Sequence, residues 1–285
     1  MSRVVCPDGV ELSVSESGDP ANPTVLLVHG YPDTHRVWDA VCDALAADHH
    51  VVRYDVRGAG RSGKPSGLAA YRLDRLADDL FAVAAAVSPG RPVHVAGHDW
   101  GSVQAWHAVT VPAAAGRIAS FTSISGPCLD HTAYWFRRRL ARPTPRHLRQ
   151  ALGQAARSWY ITVFRLPLLA PLAWRHGLAR RWPVILDRDE ATLADDAIRG
   201  LSLYRANMRY RMRHPEARTA EIPVQLITLS RDRYLSPALV SADLDRWAPR
   251  LTRHTLDATH WSALTDQAAT VAALISRHVA ASSRG

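Results

Sequence analysis

The chain has 285 residues, of which 47% are hydrophobic, and it carries a formal net charge of +9 at pH 7. This composition is typical of a soluble globular protein, and we expect no integral membrane segment because no run approaches the ~18 consecutive apolar residues of a spanning helix. The first residues contain neither the apolar stretch nor the cleavage site of a secretory signal, which favours a cytoplasmic protein.

Strand and helix patterns alternate through the first 126 residues. Apolar, β-rich runs occupy residues 24–30, 49–58, 92–100 and 117–126. Helical periodicities occupy residues 35–47, 71–87 and 101–112. This order predicts an α/β protein with a mostly parallel sheet that is covered by helices on both faces.

The alternation stops after residue 126 and resumes near residue 222. We call residues 127–221 the cap segment, because they are rich in Arg, Leu, Trp and Pro and predict several short helices inserted into the α/β core. Beyond it, strand patterns occupy 222–232 and 250–261, and helical patterns occupy 237–248 and 266–280. The predicted domains are therefore a core of residues 1–126 and 222–285, and a helical cap.

Arginine is concentrated in the cap segment. Residues 131–186 contain eleven arginines and no Asp or Glu, whereas Lys64 is the only lysine of the chain. Such a run is compatible with a solvated face, an anionic partner, a membrane surface or the steering of an acidic substrate. We expect no nucleic-acid partner, because the chain contains none of the known nucleic-acid-binding motifs.

A sharp strand-to-helix turn is predicted at "VAGHDWGS", residues 95–102. Gly97 and Gly101 flank Asp99 at two residues on either side, which permits the turn that exposes a nucleophile. The helix that follows offers the backbone N–H of Trp100. Tyr31, in the "HGYP" motif after the strand at 24–30, offers a second N–H, so the pair forms a candidate oxyanion hole.

A nucleophile needs a base, and the position of each histidine in the predicted fold favours His260. It follows the last predicted strand, at the carboxyl edge where parallel sheets bind their ligands. A carboxylate should orient this histidine. Asp232, at the end of the preceding strand, is the favoured candidate, and Asp130 and Asp257 are the alternatives.

Taken in order, the motifs "HGYP", "DVRGAGRSG", "GHDWGS", "RDRYLSP" and "THW" make the chain resemble the α/β-hydrolase fold over nearly its whole length, and within it the epoxide hydrolases. The resemblance implies a mostly parallel eight-stranded sheet flanked by helices, with an inserted helical cap. It also implies a catalytic triad in the chain order Asp99, Asp232, His260. An aspartate at the turn leaves epoxide hydrolases, haloalkane dehalogenases and haloacid-cleaving relatives as candidates.

Two cap tyrosines favour the epoxide hydrolases among these. The family resemblance implies one tyrosine seven residues before a proline, and "WYITVFRLP" places Tyr160 seven before Pro167. The second lies in a "YRxNM"-like run, which "LYRANM" matches with Tyr204. These phenols would protonate the leaving epoxide oxygen, which a departing halide does not need. Thr259, where the family usually has glycine before the histidine, is a departure from the pattern.

The expected function is hydrolysis of an epoxide to a vicinal diol through an alkyl ester on Asp99, which water activated by His260 would hydrolyse. We expect no metal and no organic cofactor, and three separated cysteines predict neither a zinc site nor a disulfide framework. Candidate pocket residues are Trp159, Trp182 and Trp261, which would suit a bulky or aromatic epoxide. The alternatives are a haloalkane dehalogenase and a non-catalytic binding relative with a basic cap; a homodimer is left open.

Overall fold

The computed structural model of the chain describes residues 1–179 and 190–283, without the side chains of residues 190 and 191, and contains eight strands. Its strands are β1 (Ser2–Val5), β2 (Glu11–Ser17), β3 (Thr24–Val28), β4 (His50–Tyr54), β5 (Val93–His98), β6 (Ile118–Ile124), β7 (Val224–Leu229) and β8 (Leu251–Leu256). They form one eight-stranded sheet in the order β1-β2-β4-β3-β5-β6-β7-β8. The first two strands pair antiparallel, as do β2 and β4, and all later pairs are parallel. The predicted mostly parallel sheet is therefore confirmed.

Helices cover both faces of this sheet. The described helices are α1 (Asp39–Leu45), α2 (Leu73–Val87), α3 (Trp100–Val109), α4 (Leu129–Ala141), α5 (Pro145–Arg157), α6 (Trp159–Phe164), α7 (Leu169–Ala173), α8 (Glu190–Arg213), α9 (Pro237–Ser241) and α10 (Ala268–Ser282). The helix predicted from residue 35 begins as a 3₁₀ turn, His35–Trp38, before α1. No described helix is long and apolar enough to span a membrane.

The central strand β3 shows how the core is divided. All five of its residues are buried, as expected for a parallel strand covered on both faces. Val25 and Leu27 face the cluster that contains residues of α1 and α10, whereas Leu26 and Val28 face the cluster that contains residues of α2 and α3. This alternation follows the two-residue period of a strand. Because β3 is the fourth of the eight strands in the sheet, its carboxyl end lies near the middle of the sheet edge.

The described residues of the cap segment form α4 to α8 and contain no strand. Polar contacts join α8 to the core. The Asn207 amide donates to the Tyr71 carbonyl at 2.8 Å and accepts from the Leu73 N–H at 3.0 Å. Asp196 accepts from the Gly60 N–H at 3.0 Å and from Lys64 at 3.2 Å. These bonds hold the cap segment over the carboxyl edge of the sheet.

Candidate active site

The turn between β5 and α3 holds Asp99 in an unusual backbone conformation, with φ 52° and ψ −124°. Positive φ is uncommon for a residue with a side chain and often marks a functional site. A Cβ at Gly101 would overlap the carbonyl oxygen of Val28, and a Cβ at Gly97 would lie 2.6 Å from the Gly101 carbonyl. The two flanking glycines therefore let α3 approach the sheet closely enough to present Asp99.

The two carboxylate oxygens of Asp99 have different neighbours. The Tyr31 N–H donates to Oδ1 at 2.7 Å, so this oxygen lies at the predicted oxyanion hole. Trp100 is the first residue of α3, where backbone N–H groups have no partner within the helix. Oδ2 lies 3.5 Å from Nε2 of His260, a buried side chain. One oxygen is thus held by the backbone, and the other faces a histidine.

The histidine is held in turn by Asp232. Nδ1–H of His260 donates to Asp232 Oδ2 at 2.9 Å, and the Ser125 hydroxyl donates to the same oxygen at 2.7 Å. The N–H groups of Tyr234 and Leu235 donate to Oδ1 at 2.7 and 3.1 Å. Burial acts to raise the pKa of Asp232, but His260 and these hydrogen bonds outweigh it and lower the pKa to about 2. Asp232 therefore stays ionised.

The two alternative acids lie elsewhere. The buried carboxylate of Asp130 faces Arg211 and Arg218, at 3.7 and 3.9 Å. Asp257 is exposed and pairs with Arg231 at 2.9 Å. Of the three carboxylates considered from the sequence, Asp232 is the one that contacts the histidine.

Opposing effects set the protonation of His260. Burial lowers its pKa, but Asp232 and Asp99 outweigh burial and raise the pKa to about 10. The two acidic neighbours thus favour the protonated form of the ring. Burial and the charge of His260 lower the pKa of the adjacent His98 to about 3, so that ring is neutral. His98 Nε2 lies 2.8 Å from the His260 carbonyl, an acceptor, which places the proton of His98 on Nε2.

These groups open into a cavity of about 310 Å³ between the sheet edge and the cap segment. Asp99, Tyr160 and Tyr204 line it together, and the two tyrosine rings lie 6.2 Å apart. Burial and the charge of Asp99 raise the pKa of Tyr160 above its ordinary value, and burial chiefly raises that of Tyr204. Both phenols therefore remain protonated at neutral pH and can donate a proton.

The tryptophans predicted to line the pocket have different locations. Trp261 lies beside the triad: its ring is 4.7 Å from His260 and its Nε1–H donates to Asp33 at 3.2 Å. It lines a smaller cavity that also includes Asp99. The prediction for Trp159 is wrong, because its side chain is 67% exposed and does not line either cavity. Successive helical residues point about 100° apart, so the inward Tyr160 leaves Trp159 facing outward. Trp182 lies outside the described residues.

The sequence interpretation missed two residues of the site. Tyr234 lines both cavities, with its ring 5.1 Å from His260 and 5.5 Å from Tyr160. Ser125 directly follows β6, has φ 47° and donates to Asp232. Both follow strands at the carboxyl edge of the sheet, and that position is the signal that could have identified them.

The amino-acid sequence is similar to a known family and to several curated proteins. Residues 23–267 match the sequence profile of the family described as "alpha/beta hydrolase fold". A Mycobacterium tuberculosis protein named "Probable oxidoreductase EphD" is 42% identical over an alignment of 278 positions that covers 92% of this chain and 47% of that protein. "Epoxide hydrolase A" of the same organism is 36% identical over 169 residues, 59% of this chain and 48% of that one. The chain spans about half the length of these curated relatives.

Solved structures show the same architecture. An epoxide hydrolase from metagenomes of hot environments has a TM-score of 0.79 at 24% identity, covering 98% of this chain and 97% of the other. A variant of a Bacillus megaterium epoxide hydrolase, complexed with its naphthyloxy-propanediol product, has a TM-score of 0.78 at 21% identity, covering 98% and 99%. With the profile match over residues 23–267, the predicted resemblance is confirmed, and the chain belongs to the α/β-hydrolase fold family.

Proposed function

We propose that this chain hydrolyses an epoxide to a vicinal diol through an alkyl ester on Asp99. The observation that carries the proposal is the shared cavity of Asp99, Tyr160 and Tyr204, which brings a carboxylate and two protonated phenols to one substrate. The names of the relatives support the same reaction class. Attack of a carboxylate on an ester or amide would give a high-energy anhydride, whereas attack on an epoxide carbon gives an ordinary ester.

In the first step, Oδ2 of Asp99 attacks one ring carbon from the side opposite the C–O bond that breaks. Aspartate carboxylates are ionised at neutral pH, so this attack needs no base. The ring oxygen leaves as an alkoxide that remains attached to the substrate. Tyr160 or Tyr204 donates its proton to that oxygen, and the alkoxide is a far stronger base than the resulting phenolate.

Ester formation changes the charge around His260. The ester of Asp99 is neutral, so one of the two carboxylates that raise the pKa of His260 is lost. The histidine can then pass its proton to the tyrosinate left by ring opening, which restores the phenol. The neutral imidazole, oriented by Asp232, next deprotonates the water that attacks the ester carbonyl. The site thus forms its base after the ester has formed.

The second step produces negative charge on Oδ1 of Asp99. This oxygen already accepts the Tyr31 N–H, and the Trp100 N–H is the second donor that we assign to it. A donor placed at a developing oxyanion contributes about 3 kcal/mol of transition-state stabilisation. Collapse of the intermediate breaks the ester C–O bond, and the departing alkoxide takes the proton that His260 received from water. The diol leaves, and the acid proton of Asp99 passes to His260, which restores the carboxylate.

Because the charge of Asp99 helps to raise the pKa of His260, that pKa should change in Asp99→Asn, whose neutral amide mimics the charge of the ester. We expect the pKa of His260 to fall by about 1 to 3 from about 10, because an opposite charge within a few ångströms contributes that much. NMR titration of the His260 ring in both proteins measures this fall. An unchanged pKa would contradict the coupling.

The raised pKa of His260 also makes the free energy of unfolding depend on pH. The pKa of His260 in the fold lies above its ordinary 6.5, so its ion pairs stabilise the folded state fully below pH 6.5. That contribution should be lost as the pH rises through about 10. Unfolding of the wild type and of His260→Gln, measured by urea titration across this range, should therefore converge at high pH.

The tyrosines provide the experiment that separates an epoxide from a halide substrate. Replacing Tyr160 and Tyr204 together by Phe should reduce epoxide opening by at least about 100-fold, because the leaving oxygen loses its acid. Diol formation from a panel of epoxides measures the rate. Tyr210→Phe, on an exposed tyrosine of α8, is the matched control and should keep the wild-type rate.

Other outcomes would lead to different conclusions. An undiminished rate in the double variant would show that the oxygen is protonated elsewhere. Halide release from haloalkanes, with no diol from any epoxide, would indicate a haloalkane dehalogenase instead. No turnover of either substrate class would favour the non-catalytic binding relative.

A further inference from the structure

The cap segment exposes many large apolar side chains. Most such residues in the described chain lie there: Leu140, Leu148, Leu152, Trp159, Leu166, Leu168, Leu169, Leu172 and Tyr210. Single exposed apolar residues are ordinary on protein surfaces, but their concentration in one region marks an interaction site.

The first turn of α7 shows the arrangement in detail. Leu168, Leu169 and Leu172 are 74%, 60% and 49% exposed. At 100° per residue they share one side of the helix, opposite the buried Ala170 and Trp174. Their exposure therefore follows from helical geometry, with the core contacts on the other side of the same helix.

Positive charge flanks these leucines in the chain. Arg165, in the turn after α6, and Arg175, just after α7, are both exposed. Neither makes an ion pair with an acid in residues 1–179 or 190–283. We call Arg165, Leu168, Leu169, Leu172 and Arg175 the leucine face.

The neighbouring helix α5 repeats this combination. Leu148 and Leu152 are one turn apart and exposed, and Arg149 and Arg157 are exposed as well. Contacts run from α5 to α6 and from α6 to α7, so both sets belong to one connected part of the cap segment. Residues 131–179 contain no Asp or Glu, and an anionic partner would therefore meet no repulsion from this part of the chain.

We propose that the leucine face docks this chain on a bilayer that contains anionic phospholipid. Helices with an apolar side bordered by arginines lie in the plane of such an interface, with leucines at the acyl boundary and guanidinium groups at the phosphates. A nucleic acid would meet the arginines but offers no apolar medium for the leucines. A bilayer supplies both phases across a broad surface, as the apolar residues spread over α5 to α7 require.

Vesicle co-sedimentation of the whole chain tests the proposal. We expect binding to vesicles of phosphatidylcholine with phosphatidylglycerol, little binding to phosphatidylcholine alone, and weakening by salt. Replacing Leu168, Leu169 and Leu172 together by Ser should lower the partition constant by at least about tenfold. Replacing Arg165 and Arg175 by Gln should lower it roughly fivefold per arginine.

A control with the same kinds of change elsewhere separates the leucine face from net charge. Leu68→Ser combined with Arg36→Gln and Arg250→Gln changes exposed residues of the core and removes the same number of positive charges. The vesicle binding of this variant should stay within about twofold of the value expected from the loss of two distant charges alone. Circular dichroism should show folded protein in every variant, since all these side chains are exposed.

Three results would overturn the proposal. Binding to neither vesicle would exclude the bilayer as the partner. Anionic-vesicle binding that the leucine variant retains would assign the attraction to the net charge of the chain. Self-association in sedimentation velocity, abolished by the leucine variant, would identify the leucine face as a contact between two copies.

Discussion

Freshly prepared Asp99→Ala protein should lose epoxide hydrolysis by about 10⁴-fold or more, the scale of loss when a covalent nucleophile is removed. The loss follows from the position of Asp99, whose Oδ2 faces His260 at 3.5 Å while Oδ1 accepts the Tyr31 N–H. Within residues 1–179 and 190–283, no other side chain makes both contacts. Steady-state diol formation at saturating epoxide measures the effect.

Asp257→Ala is the matched control for this change. Asp257 is an exposed acid three residues before His260, and its carboxylate pairs with Arg231 instead of the histidine. Its replacement should leave the rate within about twofold, as is usual for an exposed side chain away from the reacting atoms. Full turnover by Asp99→Ala, or a collapse of the rate in Asp257→Ala, would contradict the assigned triad.

Asp99→Asn extends the same prediction. The amide is close in size to the carboxylate but cannot act as the nucleophile, so the fresh protein should be as inactive as Asp99→Ala. Any activity should grow slowly and in step with deamidation of the residue, which mass spectrometry detects. Activity that is present at once would indicate a different nucleophile.

The sheet could be predicted from sequence because its signals are local. A parallel strand buried on both faces appears as a short apolar run, as "TVLLV" does in β3. The turn at Asp99 was equally readable, because the clashes at Gly97 and Gly101 leave no room for a side chain. Each of these features depends on residues that are close in the chain.

Other features of the site depend on residues far apart in the chain. Ser125 and Asp232 are separated by 107 residues, and their hydrogen bond required the packing of β6 beside β7. Chain order alone favours Asp232 over Asp130, and the contact of Asp232 with His260 decides between them. The outward direction of Trp159 depended on which side of α6 faces the core, which an aromatic-rich segment does not reveal.

The balance of charge and burial at His260 is a further property that the sequence pattern alone cannot provide. Two carboxylates, from the segments that follow β5 and β7, converge on the buried His260, and together they outweigh the effect of burial on its pKa. A sequence motif identifies Asp99, Asp232 and His260. It does not show whether the carboxylates or burial dominate the pKa of the histidine. The proposed order of events, with ester formation before base formation, follows from that balance.

The second large effect is expected in His260→Gln, which should form the ester but fail to hydrolyse it. Glutamine can still donate to Asp232 but cannot accept a proton from water, so loss of the base should slow the second step by about 10² to 10⁴-fold. The enzyme should then accumulate as the alkylated form. His254→Gln, on the neighbouring β8, is the matched control and should turn over without accumulation.

Intact-mass spectrometry of His260→Gln after exposure to an epoxide panel tests the central claim most directly. The account predicts protein one substrate mass heavier, with the added mass on the peptide that contains Asp99 and no adduct when Asp99→Ala is combined with His260→Gln. Sustained turnover by His260→Gln without any adduct, or an adduct that persists in the double variant, would contradict a covalent intermediate on Asp99.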